Sequence, residues 1–348
     1  MASIRPLDRD DLPAVAELIR AHVGWRRDPA VLERTLIDHP WSRQEPSTLV
    51  AVDDTGRVIG SIGAQERPLV FEGAPLRGVC VSHLVVDPER RAGAAGALLV
   101  RTLLSGDQDL TFTDSGTEDV VRIWAAFGAD VDHTRTGSWM VVIRPVRWMA
   151  LAGRHGVRSS ESRRRAVPTA ALPLHVLGKR AMPQAFPDPA PGVEGTEATP
   201  AEIVEILPAF KNIRLRIDYD TDYLSWLFAH FRSLGLSLSH RIVRRAGRPI
   251  GWYAYIQRDV ARLVHLAAAS RQADDVFADF AAQASAGGAL ALAGRMEPSL
   301  DEPLRRRMAA FSLAQRPLVH ARDPKVRAAL GSSGALVTEM DLIDSEWW

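Results

Sequence analysis

The most informative segment of the chain is Val86-Asp-Pro-Glu-Arg-Arg-Ala-Gly-Ala-Ala-Gly-Ala-Leu-Leu-Val100. It begins like the end of a β-strand, turns at Asp87-Pro88 and continues as a helix with apolar residues at Leu98 and Leu99. The helix opens on a run of tiny residues from Ala92 to Ala97, which lets another molecule come close to its backbone. The free N–H groups of a first helical turn and the positive end of the helix dipole attract anions. The segment therefore predicts a phosphate or pyrophosphate site.

The same residues resemble the coenzyme A signature of the GCN5-related N-acetyltransferases. The family pattern Arg/Gln-x-x-Gly-x-Gly/Ala falls here on Arg91-Ala-Gly-Ala-Ala-Gly96, with Ala94 in place of the first glycine. The resemblance implies that acetyl-CoA or another acyl-CoA is the co-substrate and that no metal takes part. An alanine-rich helix that binds nothing would have the same composition. The order of the surrounding elements is needed to choose between these two interpretations.

The order of the predicted elements over residues 3–145 is also that of the family. Hydrophobic periodicity predicts a strand at 3–7, helices at 8–23 and 29–39, strands at 49–52, 58–62 and 79–86, the signature helix, a strand at 110–113, a helix at 118–127 and a closing strand at 139–143. The resemblance implies an α/β (α+β) fold in which helices flank a central mixed, mostly antiparallel sheet.

Residues 199–348 repeat this order in a fainter form. Helices are predicted at 200–210, 220–234, 273–286 and 303–310, and strands at 241–244, 250–256, 263–266, 290–293 and 335–342. Asp274 and Asp275 stand where phosphates would sit, so this copy of the site is degenerate. We therefore predict tandem folds: an acyl-CoA-binding domain at 1–145, an Arg/Pro-rich connector at 146–198 and a degenerate domain at 199–348.

Composition narrows the class of protein. The chain has 348 residues, 46% of them hydrophobic and 24% charged, with a formal net charge of +1, which is typical of a globular protein and gives no reason to expect nucleic-acid binding. A single cysteine, Cys80, excludes an internal disulfide and a cysteine-based zinc site. No apolar run is long enough to span a bilayer and no signal peptide is recognisable, so we expect a cytoplasmic protein without membrane contact.

The resemblance also assigns roles in donor binding. It implies that the backbone of the strand before the signature pairs with the pantetheine arm, and that main-chain N–H groups of the signature hold the pyrophosphate. Trp124 falls where many family members have the tyrosine that protonates the leaving thiolate. The donor-binding residues implied in this way are Leu84, Val85, Val86, Arg91, Ala92, Gly93, Ala94, Ala95, Gly96, Ala97 and Trp124.

Candidates for proton transfer are few. Because side chains alternate across a strand, Cys80, Ser82 and Leu84 are predicted to share one face, and Ser82 is placed to hold a water molecule. His83 titrates in a useful pH range, although the same alternation turns it away from the cleft and favours a structural histidine. Asp114 is the remaining acid near the cleft, with a solvated turn residue as the alternative.

These observations predict an N-acyltransferase that moves an acyl group, in the first instance acetyl, from acyl-CoA directly to a primary amine of a small molecule. One alternative is a non-catalytic protein that senses acyl-CoA or acts as a scaffold. Another is a transferase with a carrier-protein donor, which would dock on the basic run at 154–165. Self-association is compatible with all three.

Overall fold

A computed structural model describes residues 2–23, 28–42, 48–87, 89, 94–145, 147–148, 189–313 and 315–342. Arg91, Ala92 and Gly93 of the signature, the basic run at 154–165 and most of the predicted connector lie outside these residues. The described part of the chain forms two β-sheets with helices on their faces.

The first sheet contains most of the strands of the first half. In spatial order its strands are β1 (Ser3–Pro6), β2 (Leu49–Val52), β3 (Val58–Phe71), β4 (Ala74–Val86), β5 (Leu110–Thr113), β15 (Leu318–Ala321) and β6 (Asp130–Val131), while β9 (Leu215–Ile217) pairs with the far end of β3 and with β16 (Ala335–Leu336). Neighbours are antiparallel except for β4 with β5 and β9 with β16.

The second sheet has the same plan. Its strands, in spatial order, are β14 (Ala310–Leu313), β7 (Gly137–Val142), β13 (Ala291–Arg295), β12 (Val260–Ala268), β11 (Arg248–Ile256), β10 (Leu238–Arg245) and β8 (Val193–Glu197). Only β12 and β13 are parallel. The predicted fold class, with two mixed and mostly antiparallel sheets flanked by helices, is confirmed.

The helices cover the faces of these sheets. They are α1 (Leu12–Val23), α2 (Pro29–Leu36), α3 (Ala95–Leu104), α4 (Glu118–Ala126), α5 (Pro200–Ile206), α6 (Thr221–Ser233), α7 (Ala273–Ala286), α8 (Asp301–Arg306) and α9 (Pro324–Leu330). Short 3-10 turns lie at Arg9–Asp11, His133–Arg135, Leu207–Ala209, Pro298–Leu300 and Glu339–Asp341. The ends of these helices follow from local sequence, since Thr117 caps α4 by accepting from the N–H of Val120, and Gly128 supplies the positive φ of 85° that follows it.

The two halves exchange their closing strands. The strand predicted to close the first sheet lies instead in the second, where β7 pairs with β13 and β14. In return, β15 of the second half lies between β5 and β6 in the first sheet. Part of the predicted connector is also a strand, because β8 pairs with β10. The terminal strand predicted at 335–342 is limited to the two residues of β16.

Three hydrophobic clusters pack on the two faces of the first sheet. Helices α1 and α2 pack with Val50 and Val85, whereas α3 and α4 pack on the other face with Val79 and Val81. A further cluster joins Cys80 and Phe112 of the first sheet to side chains of the second half, including Tyr223, Trp252 and Met340. The second half therefore covers part of the sheet face on which Cys80 lies.

Candidate active site

Strands β4 and β5 run side by side for only three residue pairs and then part. Gly78–Cys80 pair with Leu110–Phe112, after which β5 ends at Thr113 whereas β4 continues to Val86. No strand within the described ranges pairs with the last part of β4 on the β5 side. An extended ligand with amide groups can hydrogen-bond to such an open strand edge.

A β-bulge lies in this open part of β4. The register between β3 and β4 shifts between Ser61 and Gly63, and His83 has a φ of 47°. This is the left-handed region, in which histidine is one of the commoner non-glycine residues. A bulge adds one residue to its strand and changes the direction of the side chains that follow.

The bulge changes which residues of β4 share a face, so the predicted faces need correction. Val85 packs with α1 and α2, while Leu84 and Val86 pack toward α3 and α4. Strict alternation, which grouped Leu84 with Cys80 and Ser82, is therefore wrong beyond Ser82. It failed because a bulge is not visible in the hydrophobic pattern of one strand.

Ser82 belongs to a small polar cluster next to the bulge. Gln65 of β3 is fully buried, and its Nε2 donates a hydrogen bond of 3.2 Å to Ser82 Oγ. His83 Nδ1 lies 3.1 Å from the same oxygen. Because an amide nitrogen only donates, Ser82 Oγ accepts from Gln65 and keeps its own proton for His83 or for a bound molecule.

Gln65 is a residue that the sequence analysis missed. It lies directly opposite Cys80 in the β3–β4 ladder, so it shares the face of Cys80 and Ser82. Its Oε1 is buried and has no hydrogen-bond partner among the residues that the structure describes. The available signal was a glutamine in register with the predicted cleft strand, which requires the pairing of β3 and β4 to be known.

The start of α3 has no side-chain cap among the described residues, and residues 90–93 just before it lie outside them. Its N-cap residue, Ala94, makes no side-chain hydrogen bond to the first N–H groups of the helix. Ala94 is exposed, Ala95 is buried, and Gly96 and Ala97 are half-buried. A Cβ on Gly96 would come no closer than 3.4 Å to other atoms of the chain, which is an ordinary contact. The packing of the protein therefore does not require glycine there, and the small residues leave space beside the donor end of the helix.

Trp124 is a core residue in this structure. Its side chain is buried, with an exposed fraction of 1%, and it belongs to the cluster of Leu99 and Leu103 between α3 and the sheet. Its indole N–H has no hydrogen-bond partner in the described part of the chain. A contact between Trp124 and a cofactor would require the ring to become exposed, so this role stays a prediction.

Asp114 joins the ends of β5 and β13. Its backbone carbonyl accepts a hydrogen bond of 2.6 Å from Nη2 of Arg295, which is nearly fully buried. The structure thus shows a residue that links the two sheets. A catalytic part for Asp114 remains a prediction, as it does for Ser82 and His83.

A buried cluster from both halves covers the Cys80 face of β3 and β4. Arg67 of β3 donates from Nε and Nη2 to the backbone carbonyl of Asp341, at 3.0 Å each, and its Nη1 lies 3.0 Å from His39 Nε2. Tyr223 of α6 lies beneath the guanidinium, 5.8 Å from ring centre to Cζ. Trp41 stacks on Tyr223 with 3.6 Å between the ring centroids.

This cluster disfavours additional positive charge. Burial and the nearby Arg67, with a further contribution from His230, lower the pKa of His39 to about 2, so its ring is neutral at physiological pH. Burial also raises the pKa of Tyr223, so its hydroxyl keeps its proton. The Arg67 guanidinium thus lies between an uncharged histidine ring and a protonated tyrosine.

In the second half, the helix that follows β12 is α7, and the charged side chains at its start already have partners. Asp274 and Asp275 lie in the first turn of α7, as predicted from the sequence. Arg307 forms an ion pair with Asp274, and Arg245 lies 2.7 Å from Asp275. Arginine side chains already neutralise this helix start, which therefore offers no place for a phosphate.

Comparison with solved structures identifies the architecture. A GCN5-related N-acetyltransferase from Anabaena variabilis ATCC 29413 superposes with a TM-score of 0.62 at 11% sequence identity, over 93% of this chain and 74% of its own. The chain has the GCN5-related N-acetyltransferase fold.

Two further structures support the same conclusion. A probable N-acyltransferase of unknown function from Enterococcus faecalis V583 gives a TM-score of 0.62 at 10% identity, over 92% of this chain and 72% of its own. A GCN5-related N-acetyltransferase from Kribbella flavida gives 0.58 at 14% identity, over 95% and 74%. No protein-family model and no curated protein matches the chain by sequence, so this fold is recognised from its geometry.

The described ranges hold neither a membrane-spanning helix nor a cluster of side chains suited to a metal ion. None of their helices has the length and apolar character that a bilayer span requires. They also contain no group of three or more His, Cys, Asp or Glu side chains placed to bind a metal ion.

Proposed function

We propose that this protein is an N-acyltransferase whose first half binds acyl-CoA and transfers the acyl group to a primary amine. The parting of β4 and β5, followed by the start of α3, is the observation that carries the proposal. Along the chain, a strand edge that no described strand covers is followed by the donor end of a helix. Pantetheine has amide groups that suit the strand edge, and the pyrophosphate suits the helix start.

The residues present fit such a donor. The strand edge of β4 up to Val86 is available for hydrogen bonds, and Gly96 leaves room beside the helix backbone. Ala94 keeps its N–H group, so replacement of glycine by alanine in the signature removes no donor. The second half offers no equivalent, because Asp274, Asp275 and their arginine partners already occupy the start of α7.

The chemistry is a direct transfer. The lone pair of the amine forms a bond with the acyl carbon, the carbon–sulfur bond breaks, one proton leaves the nitrogen, and the thiolate leaves and takes up a proton. Ser82 and His83, joined through a 3.1 Å contact, are the groups of this chain best placed to hold the departing proton or a water molecule that carries it. Gln65 is buried, and it orients Ser82 by donating a hydrogen bond to Ser82 Oγ.

The first experiment is calorimetric titration of the protein and its Ala94→Asp variant with acetyl-CoA. An aspartate at an N-cap accepts hydrogen bonds from the first turn and interacts favourably with the dipole, so the variant should gain about 1 kcal/mol in stability. The same carboxylate occupies the N–H groups and repels phosphate, so the affinity for acetyl-CoA should fall at least about tenfold, equivalent to about 1.4 kcal/mol.

Ala94→Ser is the matched control, because serine caps the helix without adding charge. We expect it to stabilise the fold as well and to weaken donor binding less than aspartate does. Equal affinity of all three proteins for acetyl-CoA would show that α3 does not hold the donor. No binding by the unmodified protein to acetyl-CoA, longer acyl-CoAs or free CoA would overturn the proposal.

A further inference from the structure

Gly63 of β3 is a glycine whose backbone conformation does not require glycine. Its φ is not among the positive values of this chain, so its backbone is one that other residues also adopt. It pairs with Ser82 of β4, in the last pair before the bulge. A glycine inside a strand weakens the strand and often marks the close approach of another group. The reason for this glycine therefore lies in what occupies the place of its side chain.

The hydroxyl of Ser82 occupies that place. A Cβ on Gly63 would fall inside the contact distance of Ser82 Oγ. It would also lie 3.1 Å from Leu36 Cδ2 and 3.2 Å from the carbonyl oxygen of Ser82. Because an added methyl group forces its neighbours in a packed site to move, alanine at position 63 would displace the serine hydroxyl.

Two neighbours fix the direction of this hydroxyl. Gln65 Nε2 donates to Ser82 Oγ at 3.2 Å, and His83 Nδ1 lies 3.1 Å from the same oxygen. A serine hydroxyl has one proton to donate and two lone pairs that accept. The described residues offer the Ser82 proton no acceptor besides His83 Nδ1. The proton is therefore directed to Nδ1, Gln65 uses one lone pair, and the second lone pair is left for another donor.

This arrangement suits the removal of a proton from an amine. In the proposed reaction the lone pair of the amine forms the bond to the acyl carbon, and the nitrogen then loses one proton. An N–H of the amine donates to the second lone pair of Ser82 Oγ. As that proton moves to Oγ, the original hydroxyl proton moves to Nδ1 of His83. One N–H and one O–H bond break, one O–H and one N–H bond form, and the imidazolium then releases the proton to water.

From these observations we infer that Gly63 is a positioning residue for acyl transfer. Its missing side chain leaves the place in which the Ser82 hydroxyl lies between Gln65 and His83, with its proton directed to Nδ1. The inference rests on the proposed function and adds to it the order of the proton acceptors, first Ser82 and then His83. Gly63 acts through Ser82.

The first test does not depend on turnover. In NMR spectra of protein labelled with nitrogen-15 histidine, a ring nitrogen that carries a proton is distinguished from one that accepts a hydrogen bond. His83→Gln assigns the His83 signals. We expect the proton of the neutral ring on Nε2, because Nδ1 accepts from Ser82, and we expect Gly63→Ala to shift the Nδ1 signal. A proton on Nδ1 in the unmodified protein, or an Nδ1 signal that Gly63→Ala leaves in place, would overturn the inference.

Melting temperatures test whether Gly63 acts through Ser82. Gly63→Ala should lower the melting temperature of the unmodified protein more than it lowers that of Ser82→Ala, because the displaced oxygen is absent from the second background. This comparison also holds if Gly63→Ala alone does not fold, since the double variant should then fold. Equal losses in the two backgrounds would contradict the assigned contact.

The kinetic test follows release of CoA thiol from acetyl-CoA with benzylamine as the amine. Gly63→Ala should lower kcat at least about tenfold, since proton transfer by a positioned side chain contributes about 10²–10⁴-fold, and the KM for acetyl-CoA should stay the same. The double variant should be no slower than Ser82→Ala alone, because a residue that acts through another adds no loss of its own. An unchanged kcat in Gly63→Ala, or additive losses in the double variant, would overturn the positioning role.

Gly287→Ala is the matched control, because its new methyl group would lie 2.9 Å from the side-chain amide of Gln257 in the second half. It should leave kcat and the His83 signals unchanged, and equal effects of Gly287→Ala and Gly63→Ala would contradict the inference. The two proposals fail separately. An unmodified protein that binds no acetyl-CoA and releases no thiol would remove the transferase, whereas the imidazole signals would still decide the position of the Ser82 hydroxyl.

Discussion

Each half of this molecule has a strand that leads into a helix, β4 into α3 and β12 into α7, and the two helix starts differ in charge. In the first half β4 leads to α3, which opens on Ala95 and Gly96, and in the second half β12 leads to α7, which opens on Ala273 and Asp274. Both helix starts carry the same unsatisfied N–H groups and dipole. Neither helix has a side-chain cap among the described residues, but the first turn of α7 contains an aspartate with its arginine partner, whereas the first turn of α3 has no acidic residue.

Under the proposed function, the comparison means that one fold keeps or loses an anion site through a few side chains. Arg307 is buried, forms the ion pair with Asp274, donates 2.9 Å to the carbonyl of Pro303 and lies 4.7 Å above the ring of Phe277. These contacts turn a helix start into part of the core of the second half. The acidic residues at the start of α7 thus have a structural role.

The largest expected effect comes from separating the halves. Because β7 and β15 are exchanged, residues 1–145 alone would lack β15 beside β5, and residues 189–348 alone would lack β7 beside β13. We expect neither fragment to be soluble and folded by itself, and the two fragments to co-purify in a 1:1 complex when they are co-expressed. Circular dichroism and size-exclusion chromatography check this. An independently folded first fragment that binds acetyl-CoA would contradict it.

A smaller effect is expected from Arg307→Ala, which removes the ion pair with Asp274 at the start of α7. The change leaves Asp274 without its main partner at the start of α7 and removes the packing on Phe277. Since Asp274 is 31% exposed, water compensates part of the loss, and we expect destabilisation of about 3 kcal/mol by denaturant unfolding. Acetyl-CoA affinity should stay the same. A matching loss of affinity would place the donor in the second half instead.

The smallest expected effect is a difference in acid stability between variants of two histidines, His83 on β4 and His265 on β12. His83 is half-buried next to the bulge, whereas His265 is fully buried and stacks on Trp252 at 3.9 Å. Burial lowers the pKa of His265 to about 3. The unfolded chain binds a proton below its ordinary value of 6.5 that the folded chain does not, so this histidine costs stability as the pH falls from 6.5 toward 3.

The unmodified protein should therefore lose about 2 kcal/mol more stability between pH 7 and pH 5 than His265→Gln does. Denaturant unfolding at the two pH values measures the difference. His83→Gln serves as the comparison from the first half. Identical acid dependence of the unmodified protein and the His265 variant would mean that the imidazole becomes charged in the folded state.

Much of this fold follows from the local pattern of the sequence, and the rest depends on contacts between distant segments. The order of strands and helices around the signature is periodic enough to identify, and α7 was predicted with its observed ends at Ala273 and Ala286. Strand exchange was not predictable, because β7 and β15 have the same apolar pattern wherever they pair. The four-residue strands β14 and β15 were not predicted, although β2 and β5 are equally short and were.

The site shows the same division. Gly96 and the small residues near it were recognisable from sequence, because their chemistry is local. Gln65 and Tyr223 were not, because their roles depend on a ladder partner and on a helix that begins 130 residues after the signature starts. The position of Trp124 in the core likewise depends on how α4 packs on the sheet.

The exchanged strands also bear on how such a chain can evolve. One wall of the open cleft is β5, and its outer neighbour is β15, which the second half contributes. A change that removes the second half, even though its own helix start is closed, would therefore remove support from the cleft of the first. In the same way, β13 of the second half depends on β7 of the first. Neither strand can be lost without exposing an edge of the other half's sheet. The function proposed for the first half would therefore require the architecture of both halves.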